Sequence, residues 1–511
     1  MYKEFFISKY RNNISSSIIQ YKDLISEISD FKCGSYRLPL SFKDKFWILF
    51  IKLFINSLPL APIFINEAGI PIKWQLLLSY LYKYKISRTQ SFEDGYIENG
   101  FLPGLSCVRL YSNNDNSNTG GIKKTVLGMG VSENLETAMS KAVGELLERV
   151  FLSRYFLDIK ESFSIKDLIN KKKVFFNPSE LNGFLSFQKE KDKRLSFNDG
   201  TKFYWTKCNN LLSNEEVLLP TQIIFWAYDH KKAEEECVLG PSTTSGSGAF
   251  FSKKKAILSA IYEAVQRDAV LIYWLNLLSP NIIANETIPD QFLKENIAFL
   301  NNLNIDIFFL DVTSDICIPT IVCVMLDRNE NDVSIHFAAA SGFDTIEVLK
   351  SAFFECRVIH QSFINDSPFL LDEETYIPFI SNEINKRERI LFWRGEKAYE
   401  KFKFFLSGER KSYDYFMKKG RFFNSEDCEY SYVLNLFRNK GDGYEIYTYM
   451  PKNKILDDLG YHVAKVVIPR LIPLYLLESL ATVNAVRLKE VPELLGHKSS
   501  DKLNPWPHPI P

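Results

Sequence analysis

LETAMSKAVGELLERVFLSRYF, residues 135–156, has a near-copy far along the chain in KAILSAIYEAVQRDAVLIYWL, residues 255–275. The first carries Glu145, Glu148 and Arg149; the second carries Glu263, Gln266 and Arg267. In both, alanines stand three and seven residues before the leading glutamate: Ala142 and Ala138, then Ala260 and Ala256. Both follow a small-residue turn, Gly128-Met129-Gly130 in one case and Ser245-Gly246-Ser247-Gly248 in the other. Residues three or four apart share a helix face, so each segment presents a compact polar cluster. The remaining positions, such as Val143, Leu146 and Val150 or Ile257, Ile261 and Val265, are apolar on most sides. A helix that is apolar nearly all round is buried, and buried carboxylates are costly unless paired or bound to a metal.

A single Glu-x-x-Glu-Arg is ordinarily a solvated stripe, its ion pairs worth about a few tenths of a kcal/mol. Two copies with glycine lead-ins and apolar surroundings instead suggest similar strand-turn-helix units gathered around one site. A weaker third echo runs from Val348 to Phe363, where Ala352 precedes Glu355 after Gly342. It has Arg357 but no second acid, and reads as packing or a supporting shell.

Outward from these helices, the 511 residues suffice for one large core or two to three domains. Apolar residues make up 46% and charged residues 24%, as in ordinary globular proteins. The formal net charge is zero, whereas a nucleic-acid or anionic-membrane binder carries a basic excess. The run Lys253-Lys254-Lys255 reads as a helix start. Eight cysteines show no C-x-x-C pair or zinc spacing, which fits free thiols and a cytoplasmic location. The first residues do not resemble a signal peptide. The apolar run Phe46 to Ile65 is broken by Lys52, Asn56, Pro59 and Pro62 and reads as core or interfacial helices, not a membrane span.

Helical spacing at Ile18–Phe31, Trp47–Leu58 and Trp74–Tyr84 predicts a small helical module over residues 1–98, with its boundary near Glu98 to Gly104. Strands are predicted at 107–111, 203–206, 216–220, 222–226, 305–310, 318–326, 334–338, 444–449 and 463–468. The segment Asn113 to Gly121 reads as a polar turn, and residues 380–440 fit no pattern. Hairpins interleaved with helices argue for an α+β fold of repeated strand-helix units.

These residues carry a family resemblance. Gly128-x-Gly130 with Ala142-x-x-Glu145-x-x-Glu148-Arg149, and Gly246-x-Gly248 with Glu263-x-x-Gln266-Arg267-Asp268-Ala269, resemble the YcaO superfamily. So does Leu310-Asp311-Val312-Thr313 followed by Ile318-Pro319. The ending Pro505-Trp506-Pro507-His508-Pro509-Ile510-Pro511 resembles the Pro-x-Pro-x-Pro tail of the azoline-forming cyclodehydratases in particular. Taken alone, such a tail would read as a disordered or SH3-binding segment. The resemblance covers roughly residues 99–511, as one cyclodehydratase domain.

The resemblance implies ATP-dependent ring closure at Cys, Ser or Thr of a ribosomally made precursor peptide. It implies Glu145, Glu148 and Glu263 as Mg2+ ligands, with Gln266 and Arg267 at the nucleotide phosphates. Ser259, Arg149 and Arg109 are weaker nucleotide candidates, and the Pro511 carboxylate would move protons during ring closure. No Walker-type G-x-x-x-x-G-K-[ST] is present, so the nucleotide would be held in the family's own way. The N-terminal module is too short for the leader-binding domain of such systems, which implies a separate ubiquitin-activating-like partner. A flavin-dependent dehydrogenase would oxidise the rings in some pathways. Departures from the family pattern are Lys141 in place of a serine, Gln266 in place of an acid, and Lys255 and Phe251 in place of a Glu and an Asn. Lys255 then either marks a lost metal ligand or supplies charge to a phosphate. Two other expectations stay open: a thioamide- or amidine-forming enzyme, and a docking scaffold without ATP turnover.

Overall fold

A computed structural model describes residues 72–83, 86–87, 97–99, 105–112, 126–153, 162–226, 228, 237–328, 333–364, 366–381, 384–500 and 502–510. All belong to one unit running from Pro59 to Pro511. Most of the expected helical module and its boundary, the run 46–65, the turn at 113–121 and Pro511 lie outside the described residues. Helix α1 (Ile72–Lys83) matches the expectation at 74–84.

Among the described residues there are three sheets. In the first, β1 (Ile97–Asn99), β2 (Ser106–Tyr111) and β3 (Leu127–Ser132) form an antiparallel meander. The second has β4 (Ser162–Ser164) and β5 (Lys202–Asn210), with β6 (Glu216–Pro220) on the side of β5. It continues through β13 (Tyr447–Tyr449) and β14 (His462–Val467) to β7 (Ser247–Phe250). The third is ordered β11 (Ser334–Ser341), β10 (Thr320–Asp327), β9 (Ile305–Asp311), β8 (Asn281–Ile283), β12 (Arg410–Lys411). The predicted strand at 222–226 is instead a single 3-10 turn, Thr221–Ile223. Pro220 precedes it, and the sheet pairing of β6 ends there.

Three long helices cover these sheets: α2 (Leu135–Phe151), α3 (Lys253–Leu275) and α4 (Thr345–Phe363). Each follows a strand, β3, β7 and β11 respectively, so the repeat legible in the sequence is real. Asn134, Ser252 and Asp344 cap their first turns through side-chain acceptors. The glycine–alanine pattern is explained by close packing. A Cβ on Gly130 would lie 1.9 Å from the Ala138 carbonyl oxygen, and one on Gly128 would lie 2.3 Å from that of Ala142. On Gly248 it would lie 2.5 Å from the Ala256 carbonyl oxygen. Strand and helix backbones thus approach until only glycine fits on one side and alanine on the other.

Helix α3 runs through two cores. Ala256, Ile257, Ile261 and Val265 pack with Ala464 and Val466 of β14. Ala269 to Leu275 pack with β10, β11 and the C-terminal segment. Between them Asp268, fully buried, accepts from Arg487 of α6 (Arg487–Leu494) and from the Ile472 N–H at 2.9 Å. Arg487 also meets Asp315 at 2.7 Å and the Tyr444 hydroxyl at 2.7 Å. Asp268 therefore has a structural task. The segment 380–440, which had no readable pattern, is mostly short helices, beginning with α5 (Lys386–Phe392).

The proline-rich end is docked rather than loose. Asn504 donates to the Leu275 carbonyl at 2.7 Å, and the Trp274 indole donates to the Trp506 carbonyl at 3.2 Å. The Tyr376 hydroxyl donates to the Pro505 carbonyl at 3.0 Å. His508 is buried, its Nε2 2.6 Å from the Tyr475 carbonyl oxygen. Arg389, itself buried and paired with Glu478 at 2.9 Å, donates to the His508 carbonyl at 3.4 Å.

Candidate active site

Close packing of strand on helix decides where the acids point. Glu145 reaches back over β3, and its Oε2 accepts from the Met129 N–H at 2.5 Å. Its other oxygen pairs with Arg149, whose guanidinium also donates to the Leu127 carbonyl at 2.7 Å. Glu263 repeats the arrangement, accepting from the Gly246 N–H at 2.8 Å and the Ser247 N–H at 3.1 Å. Its Oε1 lies 3.4 Å from Arg267. Both glutamates therefore accept from the residue between two glycines, and both pair with an arginine one turn on.

Glu148 lies between them. Desolvation, then the charges of Glu263 and Glu145, push its carboxyl up to about 8, so it keeps a proton at neutral pH. Glu355 of α4 joins the same group. Desolvation raises it to about 7, with Glu145 and Glu263 adding to the rise and Arg267 and Lys141 opposing it. It was read from sequence as support; the structure turns it towards the other acids. Its signal was the third, incomplete copy of the helix pattern.

Lys465 of β14 was not anticipated. It is in register with Ser247, and its ammonium donates to the Thr243 carbonyl at 3.2 Å and to that of Ser245. Burial pushes it down to about 8 against the pull of Glu263 and Glu148. Lys386, at the start of α5, is lowered by desolvation and then by Arg149, with Glu145, Arg267 and Glu355 also acting on it. Lys141, Glu355 and Lys386 keep open surface although protein surrounds them closely, the mark of groups lining a cleft.

The other sequence candidates divide. Gln266 is buried beside Arg267 on α3, and Ser259 is half-buried against Gly248. Arg109 is directed elsewhere, donating to Ser362 at 3.4 Å, seven residues or about 10 Å beyond Glu355 along α4. Lys255 is exposed at the start of α3, and Phe251 packs against Tyr461 with ring centres 4.1 Å apart and ring planes tilted by 53°. The tail reaches the neighbourhood: His508 is held well below the ordinary imidazole value by desolvation and Arg389, with Arg267 contributing.

The donor set fits a hard divalent cation, being all carboxylate oxygen, with the Glu148 carboxyl pushed up by desolvation and by the neighbouring acids. Among the described residues, however, no three acidic, His or Cys side chains are arranged to hold an ion. Glu145 and Glu263 are turned instead to backbone N–H groups and arginines, so taking up a cation requires their side chains to swing.

Comparison with known proteins agrees with this geometry. The family model described as YcaO cyclodehydratase, ATP- and Mg2+-binding, matches residues 129–472, and the chain belongs to that family. No curated protein matches it in sequence. Among solved structures, a heterocyclase in complex with substrate and cofactor superposes with a TM-score of 0.63 at 16% identity, over 85% of this chain and 57% of its own. YcaO from Methanopyrus kandleri, bound with AMPPCP and Mg2+, gives 0.54 at 12% identity, over 78% and 91%. The E. coli microcin synthetase McbBCD complex gives 0.52 at 14%, over 81% and 96%. These identities establish a shared fold, the α+β architecture expected from sequence. The chain spans a little over half the length of the first heterocyclase and half that of the heterocyclase TruD. Among the described residues no helix is long and apolar enough to cross a membrane.

Proposed function

We propose that the chain is an ATP- and Mg2+-dependent cyclodehydratase acting on Cys, Ser or Thr of a ribosomally made precursor peptide. The observation that carries this is the meeting of Glu145, Glu148, Glu263 and Glu355, from three repeated helices, with Arg149, Arg267 and Lys465 around them. A side-chain thiol or hydroxyl adds to the carbonyl of the preceding residue, and the former amide oxygen takes the γ-phosphoryl group of ATP. That oxygen leaves as phosphate while the nitrogen loses its proton and forms the ring C=N bond. The products are an azoline, ADP and phosphate.

Phosphoryl transfer is chiefly positioning and charge neutralisation. Glu145, Glu148 and Glu263 would hold Mg2+, which would offset phosphate charge. Arg267 and Gln266 serve the phosphates, and Arg149 keeps Glu145 oriented. The Pro511 carboxylate would act as proton acceptor, a role supported by the anchoring of His508 three residues earlier. Residues 1–98 form a separate module in this proposal, and a separate ubiquitin-activating-like protein presents the precursor's leader. The microcin synthetase McbBCD, solved as a complex and also with pro-MccB17 bound, is a precedent for such an assembly.

A scaffold without ATP turnover is the competing proposal, favoured by the engagement of Glu145 and Glu263 with amides and arginines. Calorimetry with AMPPCP and Mg2+ separates the two. Magnesium-dependent binding that disappears in Glu145→Ala/Glu263→Ala supports the enzyme. No binding, with partner and precursor supplied, leaves the scaffold.

A further inference from the structure

Beside the acids lies a cleft with a cavity volume of about 90 Å³ that neither the metal nor the phosphates account for. Its walls are aliphatic: Leu181, Ile223, Leu239, Val467, Leu471 and Ile472. No aromatic side chain lines it among the described residues. Six polar residues interrupt the walls: Asn182, Thr243, Ser245, Arg267, Lys465 and Thr482. Lys465 and Arg267 are shared with the acid cluster, so the cleft opens directly onto the proposed phosphate site. Thr482 is only 2% exposed. Its hydroxyl and the Nε of Arg267 are buried and have no hydrogen-bond partner. Buried polar groups in this state are costly, and a ligand that completed their bonding would remove that cost.

We propose that this cleft seats the aliphatic side chain of the peptide residue preceding the one that cyclises, with Thr482 and Arg267 Nε donating to peptide carbonyls. The inference rests on the function proposed above and adds a specificity pocket to it. Branched aliphatic walls bury a Val, Leu or Ile side chain well, and they offer a purine no aromatic face to stack on. Two carbonyl acceptors satisfy the two orphaned donors, as a peptide backbone beside an aliphatic side chain would. Arg267 then lies between the peptide carbonyl to be activated and the phosphate that activates it.

The test uses the full chain with AMPPCP and Mg2+ and two probes, acetyl-Ile-Ser-Gly-amide and acetyl-Gly-Ser-Gly-amide, observed by saturation-transfer NMR. The expected result is at least about tenfold preference for the Ile peptide, the discrimination one apolar pocket can supply. Gly240→Leu should erase that preference without changing AMPPCP affinity. Gly240 lines the cleft, and a Cβ there meets only Thr482 Cγ2, at 3.5 Å. Thr482→Val, nearly isosteric, should weaken Ile-peptide binding and serves if the leucine variant does not fold. Equal binding of the two peptides overturns the proposal, as does an unchanged preference in Gly240→Leu or undiminished Ile-peptide binding in Thr482→Val. Loss of AMPPCP binding in Gly240→Leu would reassign the cleft to the nucleotide. Selective Ile-peptide binding by a native chain that takes no AMPPCP would retain the pocket and remove the ATP-dependent reading instead.

Discussion

Glu263 accepts a hydrogen bond from the Ser247 N–H at 3.1 Å, and Ser247 stands between Gly246 and Gly248. Glu145 stands in the same relation to Met129, between Gly128 and Gly130. The glycines bring each strand close enough for the carboxylate of the covering helix to reach its backbone. Packing and site geometry are therefore one device used twice.

The device predicts its own failure. Gly130→Ala places a methyl group 1.9 Å from a backbone oxygen that cannot move without shifting α2. The expected loss is about 3 kcal/mol, the upper part of the usual range for overpacking. Gly183→Ala, which meets only the Asn484 side chain at 3.7 Å, should change stability by no more than about 0.5 kcal/mol. Urea denaturation midpoints of the two variants decide the matter.

Protonation of the acids predicts a coupling to Mg2+. Glu148 and Glu355, at about 8 and about 7, keep protons in the folded chain that the unfolded chain releases near its ordinary value of 4.5. The folded state binds more protons, so this contribution to stability falls as pH rises from about 4.5 towards 8. Cation binding at neutral pH should expel protons, because the ligands must ionise. Calorimetry in two buffers of different protonation heat measures the release, and Glu148→Gln should reduce it. Release undiminished in that variant would place the proton elsewhere.

Arg487 holds Asp268 and Asp315 in the interior. Arg487→Met strands those carboxylates and should cost roughly 3–5 kcal/mol, as when one partner of a buried pair is removed. Adding Asp268→Leu should recover part of that loss, since Lys440 still accompanies Asp315 at 2.6 Å. A double variant no more stable than the single would show that the pair is not coupled.

Arg109 and Glu355 should separate cleanly in nucleotide binding. Arg109→Ala, altering a side chain at Ser362, should leave Mg2+–AMPPCP affinity within about twofold. Glu355→Ala should weaken it by about tenfold or more, as loss of a group supporting a metal site does. The reverse order of effects would return Arg109 to the site.

The sequence by itself determined whatever is local. Glycine, alanine and glutamate at helical spacing define strand, close contact and carboxylate within one repeat, so α2, α3 and the inward face of Glu145, Glu148 and Glu263 were readable. The proline tail was equally visible as a motif. Only the tertiary structure decided what lies across from these acids. Lys465 reaches Glu263 and Glu148 because β14 pairs with β7 in a particular register, and the sequence around residue 465 gives no sign of it. Glu355 reads as a lone acid until α4 is laid on β11. Arg109 looked available until β2 directed it to Ser362. Helical and strand periodicity fix which face a residue takes; which faces meet follows from long-range packing, and that is set by the whole fold.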